Sequence, residues 1–263
     1  MFEQVGHWLS DVFLWLAQST PEVATNLVAA AFGGASVWVS GRARRRLRLV
    51  RIRRIWKGIA ERGGTVIISV FSLDSLEPSG LVGLGDFEAL ISVQEQFRML
   101  GLKVKIEPAN DLASRELRRD LVLIGGPDGN NVTAEVIRRI RPKPSFTFPV
   151  SGHPNILVDM ATGVEYRPEH DATGRITADY GLIVRAPNPL ADDGTEVTLL
   201  AGCWGHGTAA AADSLRGKAL QAQAVSVHRP FEALVRVEVL NGRNHGVSVL
   251  EVRALESGDI RRG

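Results

Sequence analysis

The distribution of apolar and polar residues along the chain is typical of an α/β domain. Three short runs of β-branched and aliphatic residues have the composition of strands covered on both faces: 65–71 (TVIISVF), 102–108 (LKVKIEP) and 120–126 (DLVLIGG). Segments 86–101, with Asp86 as N-cap and Gly101 at its end, and 112–119 are predicted helices between them. A third predicted helix, 132–141, follows. This β–α–β–α–β–α order predicts a parallel, doubly wound sheet.

The second half of the pattern is different. Residues 144–178 contain short pieces typical of antiparallel strands, and 179–189 and 195–202 return to buried-strand runs. An alanine-rich helix is predicted over 208–223, and 231–255 reads as a hairpin with a long NGRNHG turn. The predicted fold class is α/β: a Rossmann-like, mostly parallel sheet with helices on both faces plus a β-hairpin insertion.

Ahead of this domain lies an uncharged apolar segment, residues 23–40. Twelve of its 18 residues are apolar, and as a helix it would be about 27 Å long, enough to cross a bilayer. Nine basic and no acidic residues lie between Arg42 and Lys57. Because basic flanks stay on the cytoplasmic side, we predict one N-terminal transmembrane helix with the C-terminal part cytoplasmic at the plasma membrane.

The predicted organisation is therefore an amphipathic segment (1–22), a transmembrane helix (23–40), a basic juxtamembrane helix (41–62) and a cytosolic domain (63–263). A cleaved signal peptide is disfavoured because the first residues lack a basic region. A buried soluble helix is the other alternative, but it would not require nine cations at one end. Small residues four apart, such as Ala30 and Gly34, favour a homo-oligomer through the transmembrane helix.

Charge and cysteine content agree with this division. Beyond residue 57 the chain holds 22 Lys+Arg against 26 Asp+Glu, so its basic character belongs to the juxtamembrane stretch. That stretch is expected to bind anionic lipid, and no nucleic-acid partner is expected. The single cysteine, Cys203, excludes an internal disulfide and agrees with a reducing compartment.

Two glycine-rich loops share one design, in which a predicted buried strand leads into a predicted helix. Glycines let a backbone approach a ligand closely, and the N–H groups and positive end of a helix favour an anion. Ligands of open α/β sheets bind beyond the carboxyl ends of strands, so the loops predict one crevice for a small anionic ligand. The candidate ligand-binding residues are Gly125, Gly126, Asp128, Asn130, Asn131 and Thr133 in the first loop and Gly202, Gly205, His206, Gly207 and Thr208 in the second.

The alternative is that the glycines only make tight strand–helix turns, with Asn131 and Thr208 as N-caps. Neither loop is a Walker A motif or a G-x-G-x-x-G motif, so a triphosphatase or a standard NAD dehydrogenase is not expected. Ser72, after the first strand, and Asn188, after the strand that begins near Asp179, are further candidates to face the crevice. Polar turn residues are the alternative at both positions.

Cys203 and His206 form the one thiol–imidazole pair within a few residues of each other. A thiol at a helix start has a lowered pKa and is a potential nucleophile. However, the loop offers no third group to orient the imidazole, and Trp204 is bulky enough to bury the thiol. We therefore expect Cys203 to be unreactive and assign no catalytic residue. A lone C-x-x-H is a poor zinc site, so no metal is expected and no cofactor is assigned.

The segments LVLIGGPDGNNVT, DYGLIVRAPNP and LLAGCWGHGTAAAA resemble those of a group of bacterial, especially actinobacterial, membrane-anchored proteins of unassigned function. The resemblance covers about residues 60–222 and implies a Rossmann-like domain behind one membrane span. The GGP-x-x-N and AG…GT-x-A-A elements are also similar to the C-terminal domain of archaeal surface-layer proteins. A surface-layer role does not agree with the predicted cytosolic orientation.

Three functions remain open. The first is a membrane-tethered cytosolic module that senses a nucleotide or similar phosphorylated ligand in bacterial signalling or defence. The second is a nucleotide or nucleoside hydrolase or transferase that uses the same crevice. The third is a membrane scaffold without a ligand. Because neither glycine loop contains an evident acid–base pair, the sequence favours the first.

Overall fold

The structure is a computed structural model that describes residues 46–47, 49–69, 71–73, 77–109, 115–149, 155–192, 194–223 and 230–255. Residues 49–263 belong to one compact unit, to which the following description applies. The predicted amphipathic segment 1–22 and transmembrane helix 23–40 lie outside the described residues. No helix within the described residues is long and apolar enough to cross a membrane.

Thirteen strands are described, and the five helices are labelled in chain order. The strands are β1 (Gly64–Ile68), β2 (Phe71–Leu73), β3 (Glu77–Leu81), β4 (Lys105–Pro108), β5 (Asp120–Ile124), β6 (Phe146–Thr147), β7 (Leu157–Asp159), β8 (Glu165–Tyr166), β9 (Glu169–His170), β10 (Ile176–Pro187), β11 (Glu196–Gly202), β12 (Phe231–Leu240) and β13 (Arg243–Ala254). The helices are α1 (Lys57–Arg62), α2 (Leu84–Leu100), α3 (Asn131–Arg139), α4 (Gly205–Ser214) and α5 (Lys218–Gln223).

The central sheet has the order β13-β12-β10-β11-β5-β1-β4, with β9 paired to β10. Strands β4, β1, β5 and β11 are parallel neighbours, whereas β10 runs antiparallel to β11 and β12. This confirms the predicted α/β class with a mostly parallel central sheet. The strand over 179–189 does not join the parallel set: it belongs to β10, which is antiparallel to β9, β11 and β12.

Alternating side chains of the sheet supply two cores. Along β5, Val122 and Ile124 pack in the core shared with α1, α2, α4 and α5, whereas Leu121 and Leu123 pack in the core shared with α3 and the β6–β7–β8 sheet. Both faces are therefore covered, which explains why β1 and β5 have continuous apolar sequences rather than alternating ones.

Residues 49–62 belong to the domain rather than to a separate juxtamembrane helix. Residues 49–55 are helical and continue through a turn at Trp56 into α1, which ends before Gly63. Ile52, Ile55 and Trp56 are buried in the core, and the Trp56 indole donates a 2.9 Å hydrogen bond to Gln96. The compact unit thus begins at Leu49, earlier than the sequence boundary at residue 63.

Several predicted elements differ in detail. Helix α2 begins at Leu84 with Gly83 as N-cap, so Asp86 is inside the helix, while Gly101 does end it in a left-handed conformation. The predicted helix 208–223 is broken at 215–217 into α4 and α5. Residues 115–119 form turns rather than a helix. The hairpin turn is only Asn241–Gly242, both with positive φ, because that geometry matches the twist of the two strands.

Candidate functional site

A cleft of about 470 Å³ opens at the carboxyl edge of the parallel strands, beyond β1, β5 and β11. Three segments contribute most of its wall: the start of α2, the loop after β5 and the start of α4. Among the described residues, the lining is Gly83–Asp86 and Glu88, then Gly126 and Asp128, then Gly202–His206 and Thr208, with Asn155, Ile176 and Gly242 at the periphery. This position agrees with the rule that open α/β sheets bind ligands outside the carboxyl ends of their strands.

The first turns of α2 and α4 meet at Gly85 and Gly205. A Cβ atom added at Gly85 would lie 2.2 Å from backbone atoms of Gly205, and one added at Gly205 would lie 2.9 Å from the Gly85 Cα atom. Only glycine permits this contact. As a result the positive ends of two helices converge on one wall of the cleft.

Asp179 fixes the start of α4 from beneath. Its fully buried carboxylate accepts hydrogen bonds from the backbone N–H groups of Gly207 (2.6 Å), Tyr180 (2.8 Å) and Trp204 (3.2 Å). Burial raises the pKa of Asp179, although these three N–H groups oppose the shift. The Gly207 amide is therefore occupied. The amides of Gly205 and His206 have no hydrogen-bond partner among the described residues.

Asp86 is a second buried carboxyl group, and it lines the cleft. The Ser69 hydroxyl donates a short hydrogen bond to its Oδ2 atom, and Thr208 of α4 also bonds to it. Burial raises the pKa of Asp86, and the nearby charge of Asp128 raises it further, against the effect of the two hydroxyl groups. Asp86 is thus a buried carboxyl group of the cleft lining whose protonated form is favoured by its burial.

His206 is held by the hairpin. Its Nδ1 atom lies 2.7 Å from Asn244 Oδ1, and Asn244 Nδ2 donates a 3.2 Å hydrogen bond to the His206 carbonyl oxygen. This second bond orients the amide, because a carbonyl oxygen only accepts; the amide oxygen must then face Nδ1, which donates. In the neutral ring, Nε2 is therefore the atom without a proton. It has no partner within the described part of the chain.

Cys203 also lines the cleft, but its thiol is buried and protonated. Its side chain is only 4 % exposed, and its thiol donates to the Tyr166 carbonyl oxygen at 3.6 Å. Burial raises the pKa of Cys203 to about 12, with a further contribution from the charge of Asp179. The thiol is consequently protonated at neutral pH, as expected for an unreactive cysteine. The His206 imidazole is bonded to Asn244 instead.

The loop after β5 is mainly structural. Asn130, not Asn131, is the N-cap of α3: its Oδ1 accepts from the amides of Val132 (3.1 Å) and Thr133 (3.0 Å). The Asn130 amide nitrogen donates to the carbonyl oxygens of Ile67 and Ile124. Because these bonds occupy the amides that would bind an anion, α3 does not provide an anion site. Of this loop only Gly126 and Asp128 reach the cleft.

The remaining predicted residues of the two loops are placed as follows. Gly125 has a φ of +105° and closes the loop by two hydrogen bonds. Its amide donates to the Leu200 carbonyl oxygen, and its own carbonyl oxygen accepts from the buried Thr133 hydroxyl. Asn131 is exposed on α3. A Cβ atom at Gly207 would lie 2.1 Å from the Tyr180 carbonyl oxygen, so this glycine serves close packing.

Asn188 does not face the crevice. It follows β10, and because β10 is antiparallel its end lies at the opposite edge of the sheet. There its buried amide donates to the carbonyl oxygens of Leu117 (2.8 Å) and Arg119 (2.9 Å) and accepts from the Leu190 amide. Ser72 lies in β2, in the β2–β3 hairpin that separates β1 from α2.

The sequence did not single out Asp86, Glu88 and Asn244 as cleft residues, nor Asp179 as the group beneath it. The Gly83–Asp86 segment repeats the glycine-loop design, but the β2–β3 hairpin intervenes after β1 and hides the pattern. Asn244 lies far away in sequence and reaches His206 only through the hairpin. Within the described residues, no group of three or more potential metal ligands is close enough to hold an ion.

Fold and cleft together define an α/β domain with a cleft at the carboxyl edge of its parallel strands. No protein-family model matches the chain, and no curated protein is significantly similar to it.

Proposed function

We propose that the domain is a binding module for a phosphorylated small molecule of the nucleotide type. The observation that carries this proposal is the convergence of two helix N-termini, α2 and α4, on one cleft of about 470 Å³. A cleft of this size accommodates a small organic ligand. In the proposed arrangement each part of a nucleotide meets a different part of the lining.

The phosphate group would bind at the contact between α2 and α4. The amides of Leu84, Gly85 and Asp86, at the start of α2, have no hydrogen-bond partner among the described residues, and neither do those of Gly205 and His206. Helix N-termini favour anions because unpaired N–H groups and the positive end of the helix dipole point at the same place. Two helices that touch at glycines supply both to a single phosphate.

The rest of the cleft favours the uncharged part of a nucleotide. Glu88 and Asp128 are exposed carboxylates on its wall, and carboxylates are suitable acceptors for ribose hydroxyl groups. Trp204 lines the cleft with 46 % of its surface exposed, which leaves its ring available to stack on a base.

The charge of the lining also limits the ligand. It includes the exposed carboxylates of Glu88 and Asp128 but, among the described residues, no lysine or arginine. A chain of phosphates would extend from the helix N-termini toward these carboxylates and be repelled. The proposal therefore favours a nucleoside monophosphate over a triphosphate. With the predicted span 23–40 and basic flank, such a module would sense its ligand at the cytoplasmic face of the plasma membrane.

Ligand binding is tested by thermal unfolding and calorimetry with the four nucleoside monophosphates, ATP, cyclic AMP and a sugar nucleotide. A ligand at 100 times its Kd should stabilise the domain by about 2.7 kcal/mol. Gly126→Val is the informative variant, because a Cβ at that position meets only the Asp128 carboxylate, at 2.7 Å, so the added side chain fills the cleft without striking backbone.

We expect Gly126→Val to weaken monophosphate binding at least about tenfold and to leave the unfolding temperature of the free protein nearly unchanged. Gly246→Val is the matched control, since Gly246 does not line the cleft and the nearest atom to its added Cβ is Oε2 of Glu238 on β12, 3.8 Å away. Equal affinities for monophosphates and triphosphates would contradict the proposed charge selection. If none of the compounds shifts the unfolding temperature, the binding proposal is wrong.

A further inference from the structure

The cleft contains two proton-transfer groups that nucleotide binding does not require. They are the open Nε2 atom of His206 and the buried carboxyl group of Asp86. Both residues are next to the Gly85–Gly205 contact, one on each helix, and Asp86 is further linked to α4 through Thr208. A base and an acid therefore line the same cleft, one on each helix.

The chemistry of each group is set by its own surroundings. Asn244 fixes the protonated nitrogen of His206 as Nδ1 and leaves Nε2 as the proton acceptor of a residue that lines the cleft. Burial raises the pKa of Asp86, which favours the carboxylic acid form, a proton donor. A carboxyl group that favours its protonated form, in one cleft with an imidazole whose acceptor nitrogen is fixed by a hydrogen bond, is the arrangement of a general acid and a general base.

The charge of the cleft lining favours hydrolysis of one bond of a bound nucleotide, the glycosidic bond, over hydrolysis of its phosphate ester. Phosphoryl transfer develops negative charge, which active sites neutralise with cationic groups. Cleavage of a glycosidic bond instead develops positive charge on the sugar, which carboxylates stabilise. The exposed carboxylates of Glu88 and Asp128 lie on the wall where the ribose is proposed to bind, and no described residue of the lining is a lysine or arginine.

We infer that the cleft hydrolyses the N-glycosidic bond of a bound nucleoside monophosphate, with Asp86 as general acid and His206 as general base. This inference rests on the proposed binding of such a nucleotide. The Asp86 carboxyl group donates its proton to the base nitrogen as the C1′–N bond breaks and its electron pair leaves with the base. A water molecule attacks C1′, and His206 Nε2 takes its proton. The products are the free base and ribose 5-phosphate, and solvent returns the proton from His206 to Asp86.

Asn244 is a positioning residue in this reaction, because its side-chain amide bonds to His206 and sets the tautomer of the imidazole. Asn244→Ala is expected to lower kcat with little change in KM. Asn244→Asp should restore much of kcat, since a carboxylate oxygen accepts the same hydrogen bond from Nδ1–H. A merely structural role would be seen as a loss of stability in both variants.

The experiment incubates the purified full chain with AMP, GMP, CMP and UMP and separates the products by chromatography. Binding of the same four compounds is measured in parallel by thermal shift. Wild type should release free base and ribose 5-phosphate from at least one of them. Asp86→Asn and His206→Gln should each reduce the rate at least about 100-fold while the thermal shift is retained. His245→Gln, an exposed neighbour of Asn244, is the matched control and should leave the rate unchanged.

The possible failures are distinguishable. A thermal shift without release of base overturns the inferred hydrolysis and leaves the binding proposal intact. Absence of both overturns both. Release of inorganic phosphate and nucleoside would mean phosphoryl transfer and overturn the inference, as would base release that persists at the wild-type rate in Asp86→Asn and His206→Gln.

Discussion

Asp159 and Asp179 are almost equally buried, yet the pKa values of their carboxyl groups shift in opposite directions. Asp159 forms two 2.8 Å hydrogen bonds with the Arg253 guanidinium group, and this lowers its pKa well below the usual range. Asp179 is bonded to backbone N–H groups without a cation, so burial dominates and raises its pKa. Two differences act together: Asp179 lies deeper in the protein, so desolvation is its largest effect, and a full positive charge offsets desolvation more completely than amide dipoles do.

Asp159 should therefore be a source of pH-dependent stability. Its folded-state pKa is lower than its unfolded value, so its stabilising contribution is present above the unfolded pKa and is lost as pH falls. Asp159→Asn is expected to lower the free energy of unfolding by roughly 2 kcal/mol at pH 7, because it removes a charged hydrogen-bond acceptor. The difference from wild type should shrink below about pH 4, where an unfolded aspartate becomes protonated.

Urea unfolding of both proteins at pH 7 and pH 3 measures this effect. Asp192→Asn, a change at an exposed aspartate, is the control and should have no comparable effect. A destabilisation by Asp159→Asn that is the same at both pH values would show that the ionised pair with Arg253 is not its cause.

At the scale of elements, the crossing of α2 and α4 decides whether the cleft exists. Gly85→Ala is expected to destabilise the domain by about 1–3 kcal/mol, because the added Cβ would lie 2.2 Å from the Gly205 backbone and force the helices apart. Monophosphate binding should be lost in the same variant. Thermal unfolding and calorimetry measure the two effects, with Gly246→Ala as a control that should stay within about 0.5 kcal/mol of wild type. A stable Gly85→Ala protein with undiminished binding would disprove this role.

The sequence pattern located most elements because their cause is local. The runs of β1 and β5 are buried on both faces, and the glycine that ends α2 adopts the left-handed conformation that few other residues adopt. The sequence pattern did not show whether a strand is parallel or antiparallel to its neighbours. The apolar run of β10 is equally suited to a parallel or an antiparallel position, so the placement of Asn188 at the opposite edge could not be predicted from its neighbours.

At the scale of the whole molecule, the helical residues 49–62 connect the domain to the preceding basic stretch. Trp56 and Ile59 pack in the core, and Arg62 makes a two-pronged ion pair with Asp120 at the start of β5. Residues 49–62 are therefore held against the sheet as part of the domain.

The predicted topology is tested with reporters fused after Gly263. A cytoplasmic reporter should be active there and a periplasmic one inactive, and the full chain should require detergent for extraction from membranes. Replacing Arg42, Arg44, Arg45 and Arg46 by glutamine should reverse part of the population or weaken binding to anionic vesicles, since each basic residue near such a surface contributes about 1 kcal/mol. A periplasmic reporter active at Gly263, or a chain that stays in solution without detergent, would contradict the prediction.

The sequence by itself determined the α/β class, the strands β1, β4 and β5, the helix α2 and the two glycine loops, because these follow from periodicity and backbone conformation within a few residues. Tertiary structure decided which helix ends meet. It directed α2 rather than α3 toward α4, used Asn130 to close the α3 terminus, and moved Asn188 away from the cleft. It also joined Asn244 to His206 across 38 positions. Such contacts depend on sheet order and strand direction, which long-range packing fixes and no local pattern encodes.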